Sequence, residues 1–291
     1  MRGSPNHLLA LLVAAGICLC GASSAAADDG DRLEWSPRFS RFSTAQYGLS
    51  MALMGGVLAS NAWLDAGNGA GWRGENAIDS GARLALAAPS AQGRDAAGTV
   101  SDILMYGLLA YPFVIDTALV AGIGHGNYDV AFQMAMIGMQ AVLTAKLVSS
   151  LTKGLVGRAR PDSADCITGN ELGCGSTHNE SFISGHTTSA FVGAGLMCAQ
   201  HQNLALYGDG PWGAVACGAS LVAASAVGTL RIVADRHNLT DVLGGALVGL
   251  GAGYFMPNLL NYNFGEDRRS YGQIAPFADD RTVGVSYHQT F

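Results

Sequence analysis

Apolar positions along this chain gather in long runs instead of alternating with polar ones. Residues 42–64 carry no charge over 23 positions, and five further apolar segments follow at 103–124, 130–151, 187–200, 211–230 and 242–260. Their lengths suit helices, and none keeps the two-residue period of a half-buried strand. Pro112 falls inside the second segment and predicts a kink. The stretch 66–98 is richer in Gly, Asn, Arg and Asp and reads as a surface connection with one short helix at 77–88. Only the C-terminal stretch 274–291 differs, since 282–288 alternates partly, as a short strand does. The expectation is an all-α bundle of about six apolar helices, embedded in a membrane, with a short C-terminal strand. Three parts follow from this pattern: 1–27 as a leader, 28–265 as a helical catalytic domain, and 266–291 as a tail.

Composition sharpens the membrane reading. Charged residues are 13% of the 291 and hydrophobic ones 49%, whereas soluble domains are about 25% charged. Forty glycines predict helices packed closely through small residues. A net charge of −6 gives no electrostatic support for nucleic acid as a partner. Asp116 and Lys146 lie inside otherwise apolar segments, so each must face a partner, water or the interface.

The first 27 residues have the form of a secretory signal peptide, with Arg2, an apolar stretch at 8–20 and Ala25-Ala26-Ala27 before Asp28. An uncleaved anchor is the competing reading. Of the cysteines beyond it, Cys166 and Cys174 sit in a polar loop and could close a disulfide in an oxidising compartment. Zinc is the weaker reading of that pair. Cys198 and Cys217 lie in apolar segments and read as buried small hydrophobes.

Residues of catalytic type cluster at three places, each at the end of an apolar segment. In the first, Lys153 and Arg160 are seven apart, two helical turns, so both can face one side of a helix that Pro161 ends. A solvated basic helix end is the plainer reading. In the second, Ser184, Gly185 and His186 precede an apolar helix, where free backbone N–H groups bind phosphate oxygens. A helix cap made by Ser184 or Thr187 is the plainer reading here. In the third, His237 and Asp241 are four apart at a helix opening, with Arg231 upstream. A carboxylate beside a histidine fixes its tautomer and makes the other ring nitrogen a directed base or nucleophile. Asp235, Arg236 and Arg158 read as members of ordinary salt-bridged loops, and His7, His125, His178, His201 and His288 have no motif context. Together the clusters supply anion neutralisation, a nucleophile and an acid for phosphoryl transfer, and no metal or other cofactor is called for.

In this order the clusters resemble the phosphatidic acid phosphatase type 2 superfamily, which includes bacterial nonspecific acid phosphatases, undecaprenyl-pyrophosphate phosphatases and vanadium haloperoxidases. Lys153 to Arg160-Pro161 fits its first motif, Ser184-Gly185-His186 its second, and Arg231, His237 and Asp241 its third. Ile183 stands where the family has proline and Leu230 where it has serine. The resemblance implies that His237 is the nucleophile, Asp241 orients it, and His186 protonates the leaving oxygen and then activates water. Lys153, Arg160 and Arg231 would hold the phosphate, with Ser184 and the Gly185 backbone. The implied substrate is a phosphorylated lipid or a small phosphate ester, hydrolysed without a metal. A vanadium-dependent haloperoxidase and a non-enzymatic anion-binding membrane protein are the alternatives.

The expected location is the inner membrane of a bacterial cell envelope with the site facing the periplasm, or else soluble in the periplasm. A cleaved leader puts residue 28 outside, and three crossings before Lys153 would then put the first motif inside. Segment 42–64 is therefore expected not to cross, unless the whole protein is an apolar periplasmic bundle.

Overall fold

The protein is described by a computed structural model that covers residues 33–64, 71–72, 76–162, 179–208 and 210–263, with the backbone of 273–278 and 283–288. The leader, the Cys166–Cys174 pair and His178 lie outside the described residues. Seven helices lie among the described residues: α1 (Thr44–Trp63), α2 (Ala77–Leu86), α3 (Ala91–Gly124), α4 (Tyr128–Val156), α5 (Gly185–Asn203), α6 (Trp212–Val233) and α7 (Leu239–Tyr262). The six apolar segments each become a helix, and the short helix α2 is the seventh. An antiparallel hairpin, β1 (Gln273–Ala278) and β2 (Val283–His288), follows the bundle, with Gln273 opposite His288. The C-terminal stretch thus supplies two strands where the alternation of 282–288 pointed to one.

Proline at 112 does not break α3. From Pro112 to Gly124 the hydrogen bonding widens to i→i+5, which accommodates the missing N–H, and Thr117 donates its hydroxyl to the Pro112 carbonyl at 2.7 Å. Four helices are long and apolar enough to cross a membrane: α3, α4, α6 and α7. Helix α5 is not among them, although it is the centre of the bundle. Nearly every residue from Thr187 to Gln200 is buried, because α3, α4, α6 and α7 surround it. Glycines permit this close approach. A side chain at Gly193 would collide with the Leu108 carbonyl oxygen of α3, and one at Gly253 with the Val192 carbonyl oxygen.

Cys198 of α5 and Cys217 of α6 are joined by a disulfide, with Cα atoms 4.5 Å apart. This corrects the reading of the two as unlinked apolar residues. The small residues that line both helices bring their backbones near enough for the bond. Asp116 meets the condition that its apolar surroundings impose: Tyr207 donates to it at 2.7 Å, and His201 approaches it at 3.2 Å.

Helix α1 runs parallel to α4. Gln46 donates to Gln140 at 3.0 Å near one end, and at the other a side chain on Gly154 would meet Leu64. The stretch before α1 therefore sits at the start of α4, where Asn127 donates to the Leu33 carbonyl at 2.6 Å. That is about 39 Å from Lys153 at 1.5 Å per helical residue. Segment 42–64 was expected not to cross, and α1, which lies beside α4, is not among the helices long and apolar enough to span a membrane. An exported N terminus and a periplasm-facing site cannot both hold if all these helices cross one membrane, because the two lie at opposite ends.

Candidate active site

Three segments meet at the end of the bundle where α4 stops. Helix α4 ends at Val156 because Gly157 takes a left-handed conformation (φ 55°), and its N–H bonds back to the Lys153 carbonyl at 3.0 Å. Lys153 and Arg160 therefore do not share one helical face, as their spacing predicted. Lys153 stands in the last turn and Arg160 in the irregular stretch of chain after it. They remain close enough to repel one another. Gly185 accommodates the lysine: its missing side chain would lie 3.3 Å from the Lys153 Nζ.

Ser184 caps α5. Its Oγ accepts from the Thr187 N–H at 3.4 Å and the Thr187 hydroxyl at 2.9 Å, so its own proton is left to donate. The plain capping reading thus holds without removing the chemical one. The N–H groups of Gly185 and His186 belong to the first turn and have no partner within the helix, which suits an anion.

His237 lies in the loop between α6 and α7 and is 2% exposed. Its Nδ1 is 2.9 Å from the Ser181 carbonyl oxygen and 3.7 Å from Asp241 Oδ2. A carbonyl can only accept, so Nδ1 carries the proton and Nε2 keeps its lone pair. Burial depresses the His237 pKa to about 3, with the Arg160 and Arg231 charges adding to the effect and Asp241 opposing it. The ring is neutral at neutral pH, as a nucleophile requires. Both guanidinium groups thus lie within electrostatic range of the ring.

Asp241 touches His237 less directly than its spacing predicted. Its carboxylate accepts from Arg158 at 2.5 Å, from the Ser181 hydroxyl at 2.6 Å and from the Asn238 N–H at 2.8 Å. Ser181 thus bridges the two: its hydroxyl goes to Asp241 and its carbonyl takes the histidine proton. Arg158 is not the ordinary loop residue expected of it. It is 1% exposed, donates to Asp79 at 2.6 Å as well as to Asp241, and stacks 3.9 Å from the Trp72 ring. Asp235 and Arg236 do form ion pairs, with Arg83 and Asp162, although Asp235 is buried.

His186 faces a residue that the sequence reading passed over. Its Nε2 is 2.9 Å from Asp102 Oδ1, and Arg231 approaches the same oxygen at 3.1 Å while donating to Ser101 at 3.0 Å. Burial and the Arg231 charge lower the His186 pKa to about 4, and Asp102 works against both. Asp102 sits one residue before an apolar run, where a lone carboxylate is a signal that the run itself conceals. The Nε atoms of Arg160 and Arg231 are buried without a hydrogen-bond partner among the described residues. Leaving such donors unpaired is costly, and a phosphate would satisfy them.

Comparison with known proteins agrees with this geometry. Residues 134–264 match the model of the PAP2 superfamily. The chain is 31% identical to a lipid A 1-phosphatase of Porphyromonas gingivalis over 45% of its own length and 26% of that protein. It is 29% identical to a PA-phosphatase related-family protein of Dictyostelium discoideum over 45% of its own length and 50% of that protein. The chain therefore aligns with half or less of these curated relatives. No solved structure matches it. The segment that matches the PAP2 superfamily, residues 134–264, holds Lys153, Ser184, His186, Arg231, His237 and Asp241.

Proposed function

We propose that the protein is a lipid phosphatase that hydrolyses a phosphomonoester or pyrophosphate through a phosphohistidine. The observation that carries this reading is the His237 ring, neutral, with its Nδ1 proton committed to the Ser181 carbonyl. Its Nε2 attacks phosphorus while the bond to the lipid oxygen breaks, and that oxygen takes a proton from His186. Water then attacks the phosphohistidine with His186 accepting its proton, and phosphate leaves. Lys153, Arg160 and Arg231 neutralise the phosphoryl oxygens, and the Ser184 hydroxyl and the Gly185 N–H add hydrogen bonds. Asp241 stabilises the charged His237 through Ser181 and across 3.7 Å. The four apolar helices and the lipid A 1-phosphatase likeness support a substrate drawn from a membrane. The Cys198–Cys217 disulfide supports an oxidising compartment such as the cell envelope.

The test is phosphate release by detergent-purified protein. Wild type is expected to release phosphate in the presence of EDTA and to acquire an acid-labile phosphoryl label in rapid quench. His237→Ala is expected to lose both while melting like wild type. Substantial turnover by that variant would overturn the nucleophile, and loss on chelation would overturn the metal-independent mechanism.

A further inference from the structure

A cleft of about 590 Å³ leads away from the phosphate site between α1, α3, α4 and α5. Lys153, Gly185 and His186 line one end, and Met105, Leu109, Val142 and Val192 give it apolar walls. Within it stands a charge that the catalytic scheme does not use. Lys146 lines the cleft, exposed, two helical turns before Lys153 on the same face of α4. Its Cα is thus about 10 Å further along the helix, and the two ammonium groups lie near enough to repel. Asn61 and Ser150 line the cleft beside it. Ser150 donates to the Asn61 Oδ1 at 3.4 Å, which leaves the Asn61 NH₂ group uncommitted.

A lysine this far inside an apolar helix is rare in a membrane and marks a ligand path. Glu180 also lines the cleft and acts on Lys153, but no ion pair joins an acid to Lys146 among the described residues, so its counterpart is to be sought in what fills the cleft. The occupant must present a phosphate at one end, acceptor oxygens about two helical turns below it, and apolar chains beyond. We propose that Lys146 and Asn61 form a second recognition point that binds the acyl carbonyl oxygens of an ester- or amide-linked phospholipid. This selects acylated substrates over ether-linked ones. The inference rests on the lipid phosphatase reading and adds a specificity determinant to it.

The experiment uses p-nitrophenyl phosphate turnover by the full chain in detergent, inhibited in turn by dioleoyl phosphatidic acid and by its dialkyl ether analogue. Wild type is expected to bind the ester lipid about tenfold more tightly, the value of one charge-assisted hydrogen bond. Lys146→Met is expected to bring that ratio close to one, and Lys146→Arg to retain most of it. Melting curves control for folding. Equal inhibition of wild type by both lipids overturns the proposal, as does an ester preference that survives Lys146→Met. No turnover of p-nitrophenyl phosphate or of either lipid by wild type overturns instead the phosphatase reading beneath it.

Discussion

Removing the Arg158 guanidinium leaves two fully buried carboxylates, Asp79 and Asp241, without their shared cation. Arg158 donates to them at 2.6 Å and 2.5 Å and to the Thr240 hydroxyl at 2.7 Å, and all three charged side chains are no more than 1% exposed. The contacts tie the loop after α4 to α2 and to the first turn of α7. Intact buried ion clusters are weak evidence of net stability, but breaking one costs about 3–5 kcal/mol because a charge is stranded. In Arg158→Met the stranded charges are of like sign, so the upper part of that range applies. For a bundle of this size, a loss of about 4 kcal/mol lowers the melting temperature by roughly 8–16 °C. The assay is thermal unfolding in detergent, with phosphate release measured well below the transition. Activity should fall as well, because Asp241 and Ser181 together hold His237. Arg158→Met with Asp79→Asn should recover part of the stability by removing one stranded charge. A melt within about 3 °C of wild type, which corresponds to roughly 1 kcal/mol, together with unchanged turnover would refute the reasoning.

Two further outcomes are accessible. Asp102 raises the His186 pKa against burial and Arg231, so Asp102→Asn lowers it further. A general acid works only while protonated, and activity is lost as pH rises through its pKa. The alkaline limb of kcat/KM should therefore move to lower pH by about one unit or more, and an unmoved limb would remove Asp102 from any role in tuning the acid. The Cys198–Cys217 bond, between residues 19 apart, should stabilise by about 3 kcal/mol on loop-closure grounds. Cys217→Ser should melt several degrees lower, and a non-reducing digest of wild type that lacks the linked peptide would show that the bond does not form.

Helices were legible because an uncharged run of twenty residues has few other ways to satisfy its backbone. The candidate phosphate-binding residues could be proposed because their chemistry is written in single residue types at fixed spacing. What lay hidden depended on turns and on distant partners. Lys153 and Arg160 fit two helical turns by arithmetic, but Gly157 can turn left-handed and did, three residues before Arg160. Arg158 reads as one more basic residue at a helix end. Only the fold brings Asp79, 79 positions earlier, and Asp241, 83 later, to its two nitrogens. Cys198 and Cys217 carry no spacing signal, since their bond depends on how closely two glycine- and alanine-rich helices pack. Asp102 was obscured by the start of the apolar segment that follows it.

Two histidines serve one site, and their surroundings support different roles for them. His237 is almost fully buried and gives its Nδ1 proton to a peptide carbonyl. A carbonyl fixes the tautomer without supplying the full charge that would favour protonation of the ring, so Nε2 stays a free lone pair. His186 lines the open cleft and faces a carboxylate, a partner that favours the protonated form. In the unliganded site the Arg231 charge and burial outweigh Asp102. A phosphate dianion held by Lys153, Arg160 and Arg231 would offset those cations and so raise the proton affinity of His186. In the proposed mechanism the acid would then be charged when a leaving oxygen is present to receive the proton, and His237, screened behind Ser181 and Asp241, would be left to attack.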